Sequence, residues 1–208
     1  MKTPSLSDAQ SFLTEAESRN PGPWVGHSRA AAQAAGAIAS QFPGLHPETA
    51  FIFGLLHDIG RGAGVSGLHH ILDGYRFLIE LGYDDAARIC ITHSFPIKNI
   101  HAVEGNWDCS DPELEFIKDI LDRTEYNDYD RLIQLCDAIA LPDGYCLMEK
   151  RLFDVTLRYG VHEFTVQKWK AYLQIQSDFE AVLGKSIYSL LPGVEENTFR
   201  IKIHPAEK

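Results

Sequence analysis

Apolar residues recur at helical spacing along nearly the whole chain, and Pro and Gly cut that pattern into segments. After Pro23, the residues Ala30, Ala31, Ala34, Ala35, Ile38 and Phe42 share one face. After Asp84, Ala86, Ile89, Cys90 and His93 fall at i, i+3, i+4 and i+7. A two-residue alternation occurs only at Thr198–Ile203, where it predicts a short edge strand. Such a chain buries its apolar stripes helix against helix, so an all-α fold is expected.

The breaks and caps predict nine helices. The first runs from the Ser7–Asp8 cap to about Arg19, the second from Pro23 to Phe42, and the third from Pro47 through His57-Asp58 to a stop at Gly60. A glycine-rich loop follows over Arg61–Gly67, then helices over about 68–81 and 84–93. Residues Ser94–Ser110 have no periodicity. Helices are then expected over about 111–124, 128–140, 145–159 and 165–183, with a polar tail from Pro192. Without repeats or a strong linker, residues 1–208 read as one domain: a core at about 24–142, a helical extension at about 143–191 and the tail 192–208.

Charge narrows the partners. Nineteen basic against 29 acidic residues give a net charge of −10. That disfavours gripping a nucleic-acid polymer, which needs clustered Lys and Arg, but leaves small phosphorylated molecules open, because bound cations change a site's local charge. No apolar run approaches the roughly 20 residues of a membrane span, and the N-terminus lacks a secretory apolar stretch. A soluble, cytoplasmic protein with no membrane partner is expected. Nothing in the sequence specifies an oligomeric state. The four cysteines form no CxxC pair, and Cys90 and Cys136 sit within apolar helical patterns as small buried thiols.

Against this background a few polar residues stand where helices should bury apolar surface. His27 lies one turn before Ala31. His57-Asp58 ends the most apolar helix, and Asp137 lies one turn after Ile133. Each alone reads as a cap or a paired polar group. Together, two His and two carboxylates from three helices form a donor set for a divalent transition metal, and a buried Asp needs such a partner.

The segments Gly26-His-Ser28, Leu55-Leu-His-Asp-Ile-Gly60 and Leu135-Cys-Asp-Ala-Ile139 resemble the ordered His, His-Asp and Asp motifs of the HD superfamily of metal-dependent phosphohydrolases. The resemblance covers about Trp24 to Pro142. It implies an HD-domain helical bundle with a metal site between helices, ligated by His27, His57, Asp58 and Asp137. His70-Ile-Leu-Asp-Gly74 and Ile91-Thr-His-Ser94 are similar to the further steps of dinuclear members. There Asp58 would bridge two ions, and His70 and His93 would complete the second. Ser94 departs from the HD-GYP branch, which has an adjacent second His and a Gly-Tyr-Pro motif; the chain more closely resembles small dinuclear members such as diadenosine tetraphosphate hydrolases.

The implied cofactor is one or two divalent ions of Fe, Mn, Ni, Co or Zn. The implied activity is hydrolysis of a small phosphorylated substrate, such as a nucleotide or dinucleoside polyphosphate, by a metal-activated water, with Asp58 and Arg61 as catalytic residues. Arg61, Lys98, Lys150 and Arg151 are candidates for holding phosphate, and each reads equally as a solvated surface charge. The same six ligands also match HD-fold mixed-valence di-iron oxygenases, and a non-catalytic metal-binding module is a weaker third reading. Spacing to Gly74 favours His70 over His69, which is given a structural role. His101 is expected in a solvated loop, His46, His162 and His204 at the surface, and Trp24, Phe51, Phe53 and Trp169 in packing roles.

Overall fold

The computed structural model describes residues 2–199. Its helices are α1 (Leu6–Arg19), α2 (Pro23–Ala39), α3 (Pro47–Leu56), α4 (His70–Glu80), α5 (Asp84–Thr92), α6 (Asp111–Arg123), α7 (Asp128–Ile139), α8 (Met148–Tyr159), α9 (Thr165–Leu183) and α10 (Val194–Phe199). Short 3₁₀ turns cover Ile59–Ala63 and Ile187–Leu190. The one sheet among the described residues is an antiparallel pair, β1 (Ala140–Leu141) with β2 (Gly144–Tyr145), in register Ala140 to Tyr145. The fold is all-α, as the periodicity requires.

Small residues set the closest helix contact. Gly54 on α3 lies so near α2 that an added Cβ would sit 2.7 Å from the Ala32 Cα. The alanine face of α2 is completely buried there, which brings His27 and the end of α3 to one place. One hydrophobic core runs from Leu13 and Ile38 through Phe53 and Leu132 to Met148, Tyr172, Phe179 and Ile187. The extension after β2 therefore shares the core of the preceding helices. A second cluster, including Ile71, Leu72, Ile91, Phe95 and Ile117, lies among α4, α5 and α6.

Several expected boundaries move. Helix α3 stops at Leu56, so His57 and Asp58 occupy a turn, and the expected Arg61–Gly67 loop begins as the 3₁₀ turn. In that turn the backbone at Gly60 and Gly62 meets α4 and α1 too closely for a Cβ. Helix α4 starts at His70, not Leu68, and Pro142 sits between two tiny strands instead of ahead of a helix at Tyr145. The expected edge strand is corrected at its start. Thr198 and Phe199 close α10, where the Thr198 hydroxyl donates back to Val194 O (2.6 Å) and accepts the Leu147 N–H (2.9 Å). Its remainder and His204 lie outside the described residues.

Candidate metal centre

Four helix ends and one turn deliver the polar residues to one point. His27 comes from α2, His57 and Asp58 from the turn after α3, His70 from the first residue of α4, His93 from the residue after α5, and Asp137 from the last turn of α7. His57, Asp58, His70 and His93 are at most 4 % exposed, far below what such groups tolerate without partners. The Asp137 side chain is 23 % exposed and opens to a cleft.

The second ring nitrogens settle how the histidines point. Nδ1 of His57 lies 2.7 Å from the Gly54 carbonyl, and Nδ1 of His70 lies 2.7 Å from that of Gly67. Nδ1 of His93 faces Ile89 O at 3.2 Å, and Nδ1 of His27 faces Ala140 O at 3.3 Å. A carbonyl only accepts, so each Nδ1 carries the proton and each Nε2 presents a lone pair. Backbone carbonyls orient metal-ligating histidines in this way.

Those lone pairs converge on other acceptors. His27 Nε2 is 2.9 Å from Asp137 Oδ1 and 3.3 Å from His57 Nε2. His70 Nε2 is 3.1 Å from Asp58 Oδ1, and His93 Nε2 is 3.7 Å from the same oxygen. Acceptors this close repel unless a cation lies among them, so the donor set fits a metal. The ligand atoms of His27, His57 and Asp58 lie within 4.8 Å of one another, and so do those of Asp58, His70 and His93. Asp58 belongs to both groups, and its two oxygens face opposite ways, Oδ1 toward His70 and Oδ2 3.9 Å from His57 Nε2. That is the arrangement expected of a carboxylate between two ions.

Electrostatics agree with the geometry. Burial alone would raise the Asp58 carboxyl, but the Arg61 guanidinium, His70 and His57 outweigh it and hold Asp58 well below the usual carboxylate range. Asp137 is likewise lowered, against burial, by the adjacent His27 imidazole. Burial pushes His57 down and His93 down to about 3, which keeps both imidazoles neutral and able to ligate.

The surroundings pin the ligands. Thr92 Oγ1 donates to the fully buried Asp130 (2.7 Å), and Gln134 Nε2 donates to Thr92 O (2.9 Å), so α7 fixes the end of α5 where His93 sits. At Ser94, the departure from the HD-GYP branch, the hydroxyl donates to His93 Nε2 at 3.0 Å. Arg61 Nε donates to Asp58 Oδ2 at 2.6 Å, and its Nη2 reaches His70 Nε2 at 3.2 Å.

The centre forms the floor of a cleft of about 1090 Å³ walled by α8, α9 and the segment before α6. Arg61, Lys150 and Arg151 line it, with Lys150 paired to Asp154. Lys98 does not reach it: that side chain is exposed and lies over the Tyr126 ring instead. Arg158 and Lys168, which no sequence motif singles out, do reach it. Trp24 and Trp169, expected in packing roles, also face the cleft, together with Tyr159 and Tyr172. His46 and His101 are exposed, as expected, whereas His162 is half-buried beside Glu104.

The family model for the HD domain matches residues 24–141, more than half of the chain, and the chain belongs to that family. Its members are mostly metal-dependent hydrolases, and the buried His/Asp cluster supplies residues that could hold the metal. Searches of curated proteins and of solved structures found no match. No helix among the described residues is long and apolar enough to cross a membrane.

Proposed function

We propose that this protein is a metal-dependent phosphohydrolase acting on a small phosphorylated molecule, such as a nucleotide or dinucleoside polyphosphate. His27, His57, Asp58 and Asp137 would hold one ion, and Asp58, His70 and His93 a second. Bound divalent metal lowers the pKa of a coordinated water and offsets charge on phosphoryl oxygens. The observation that carries the proposal is this donor set at the floor of a cleft whose wall carries five basic side chains, Arg61, Lys150, Arg151, Arg158 and Lys168, interleaved with the acidic Asp58, Glu104, Asp137, Asp143 and Asp154, so that bound cations would tip the balance toward an anionic substrate.

The side chains divide the work. Arg61 sits against Asp58, where its guanidinium is positioned to meet a phosphoryl group approaching the centre. Arg151 and Arg158 offer guanidinium groups further up the cleft, beside the Lys150–Asp154 pair, for a substrate with more than one anionic group. Trp24, Tyr159 and Trp169 offer aromatic faces to an organic moiety such as a nucleobase.

The same six ligands suit a mixed-valence di-iron oxygenase, so the deciding experiment separates the two reactions. Protein purified without added metal or chelator is analysed for metal content and spectroscopic signature. It is then assayed for phosphate release from nucleotides, dinucleoside polyphosphates and p-nitrophenyl phosphate, alongside dioxygen uptake. Phosphate release dependent on divalent metal is expected. Two irons with a mixed-valence signal and no phosphate release from any of these would overturn the hydrolase proposal.

A further inference from the structure

A second mixed donor cluster lies on the outer side of α4, away from the buried centre. We infer that His69, Cys109 and Glu113 form a separate surface site for a zinc-like divalent cation, which braces the wall of the cleft. Their ligand atoms all lie within 4.8 Å of one another. Imidazole, thiolate and carboxylate together are the donors that zinc accepts in four-coordinate sites, with water in the remaining position.

The three donors come from two parts of the chain, His69 before α4 and Cys109 and Glu113 around the start of α6. His69 precedes α4, and its Nδ1 lies 2.9 Å from Asp73 Oδ2, a carboxylate–histidine pair that directs Nε2 outward. That Nε2 faces Glu113 Oε1 at 3.4 Å. Glu113 spends its other oxygen on the α6 cap, where Oε2 accepts the Ser110 N–H and hydroxyl, so Oε1 is the oxygen turned toward the cluster. Arg76 Nη1 shares Oε1 at 3.0 Å, but the Arg76 side chain is 50 % exposed and can turn to solvent. Beside Cys109, Asp108 accepts the backbone N–H groups of Gly67 and His69, both at 2.7 Å. The aperiodic segment is thereby held against the start of α4 where Cys109 and His69 meet.

An ion here would tie α4 to the segment Ser94–Ser110, which lends Val103 and Glu104 to the cleft. Occupancy would stiffen that wall without touching the buried ligands. The inference does not rest on the hydrolase assignment, and sulfur distinguishes the sites: the buried centre offers only nitrogen and oxygen, and Cys109 is the one thiol in this cluster.

The test uses the full-length protein, stripped of metal and titrated with Co²⁺. A near-ultraviolet thiolate-to-cobalt charge-transfer band is expected, saturating at one such ion per chain. Cys109→Ser should abolish the band, His69→Gln should weaken cobalt binding at this site at least tenfold, and Asp137→Ala, which alters only the buried centre, should keep the band. Zinc content of Cys109→Ser should fall by one ion per chain. Thermal melts of the metal-stripped variants check that each is folded. Absence of the band from the unaltered protein, or its persistence in Cys109→Ser, would overturn the site and leave His69 as an ion pair with Asp73 and Glu113.

Discussion

Gly60 and His70 meet backbone to backbone: a Cβ on Gly60 would lie 1.9 Å from the His70 carbonyl oxygen and 2.4 Å from the Gly74 amide nitrogen. This contact seats the first turn of α4 on the turn that carries His57 and Asp58. Gly74 serves the same end, where a Cβ would be 2.9 Å from Cys90 Sγ on α5 and 3.2 Å from Gly60 N. Gly60→Ala must therefore push α4 away from Asp58. Ordinary overpacking costs about 1–3 kcal/mol, and two rigid backbone neighbours put this substitution at or above the upper end. Chemical denaturation should show that loss, and metal analysis should show fewer ions per chain. Unchanged stability with unchanged metal content would contradict the seating role.

Ligand substitutions should separate the two proposed ions. Asp58 is the carboxylate common to both donor groups, so Asp58→Ala should lose metal at both positions. The double variant His70→Ala, His93→Ala removes one group's nitrogens and leaves His27, His57, Asp58 and Asp137. It should keep one ion and lose most activity. Metal analysis of both variants checks this, and full metal content in Asp58→Ala would remove that residue from the ligand set.

Much of this centre was legible in the sequence because its cost is local. A His or Asp on an apolar helix face, as at His27 and Asp137, requires a partner, and the spacing of His70 to Gly74 reports a close helix approach before any coordinate is known. The fold class followed for the same reason, since the alanine stripe of α2 and the Ala86–His93 face have only one period. What stayed hidden depends on tertiary approach. The turn after Leu56 carries Gly60 and Gly62 into close contact with α4 and α1, which the sequence shows only as glycines. The cleft cations followed no motif: Lys98 and Arg158 look alike in sequence, yet packing turns the first onto Tyr126 and leaves the second on the cleft. The Cys109 cluster joins residues that no single helical face relates.

Alkaline stability should depend on Tyr188. Its hydroxyl accepts the Met148 N–H at 2.9 Å and donates to Gln176 at 3.2 Å, joining α8 to α9. Burial raises its pKa to about 12, against the opposing Met148 N–H, whereas an unfolded tyrosine titrates near ~10. The folded pKa is the higher one, so this contribution is complete below pH ~10 and is lost as pH rises through about 12. Tyr188→Phe should cost about 1 kcal/mol at neutral pH for the lost hydrogen bonds. It should also reduce the fall in stability between pH ~10 and ~12 by about one proton's worth of slope. Denaturant midpoints measured across that range test both effects; an undiminished slope would show that the folded state does not raise the Tyr188 pKa above its unfolded value.

The extension is joined to the cleft wall by a buried ion pair. Lys168 on α9 is 4 % exposed, and its Nζ contacts Glu104 Oε2, whose side chain is 12 % exposed. Removing one partner from a buried pair typically costs about 3–5 kcal/mol, because the other charge is left without compensation. Glu104 borders the cleft and can recruit water, which places Lys168→Met toward the lower end of that range. Glu104→Gln in the same chain removes the stranded charge. The double variant Lys168→Met, Glu104→Gln should therefore recover most of the loss, which puts the coupling in the double-mutant cycle at or above the upper end of the usual range of about 0.5–3 kcal/mol. Lys168 also lines the cleft, so Lys168→Met should raise KM for an anionic substrate, and Glu104→Gln in the same chain should offset that rise, with metal content unchanged in both. Additive losses in the cycle would mean that the two side chains are near neighbours without energetic dependence, and that α9 is held to the cleft wall by its apolar contacts alone.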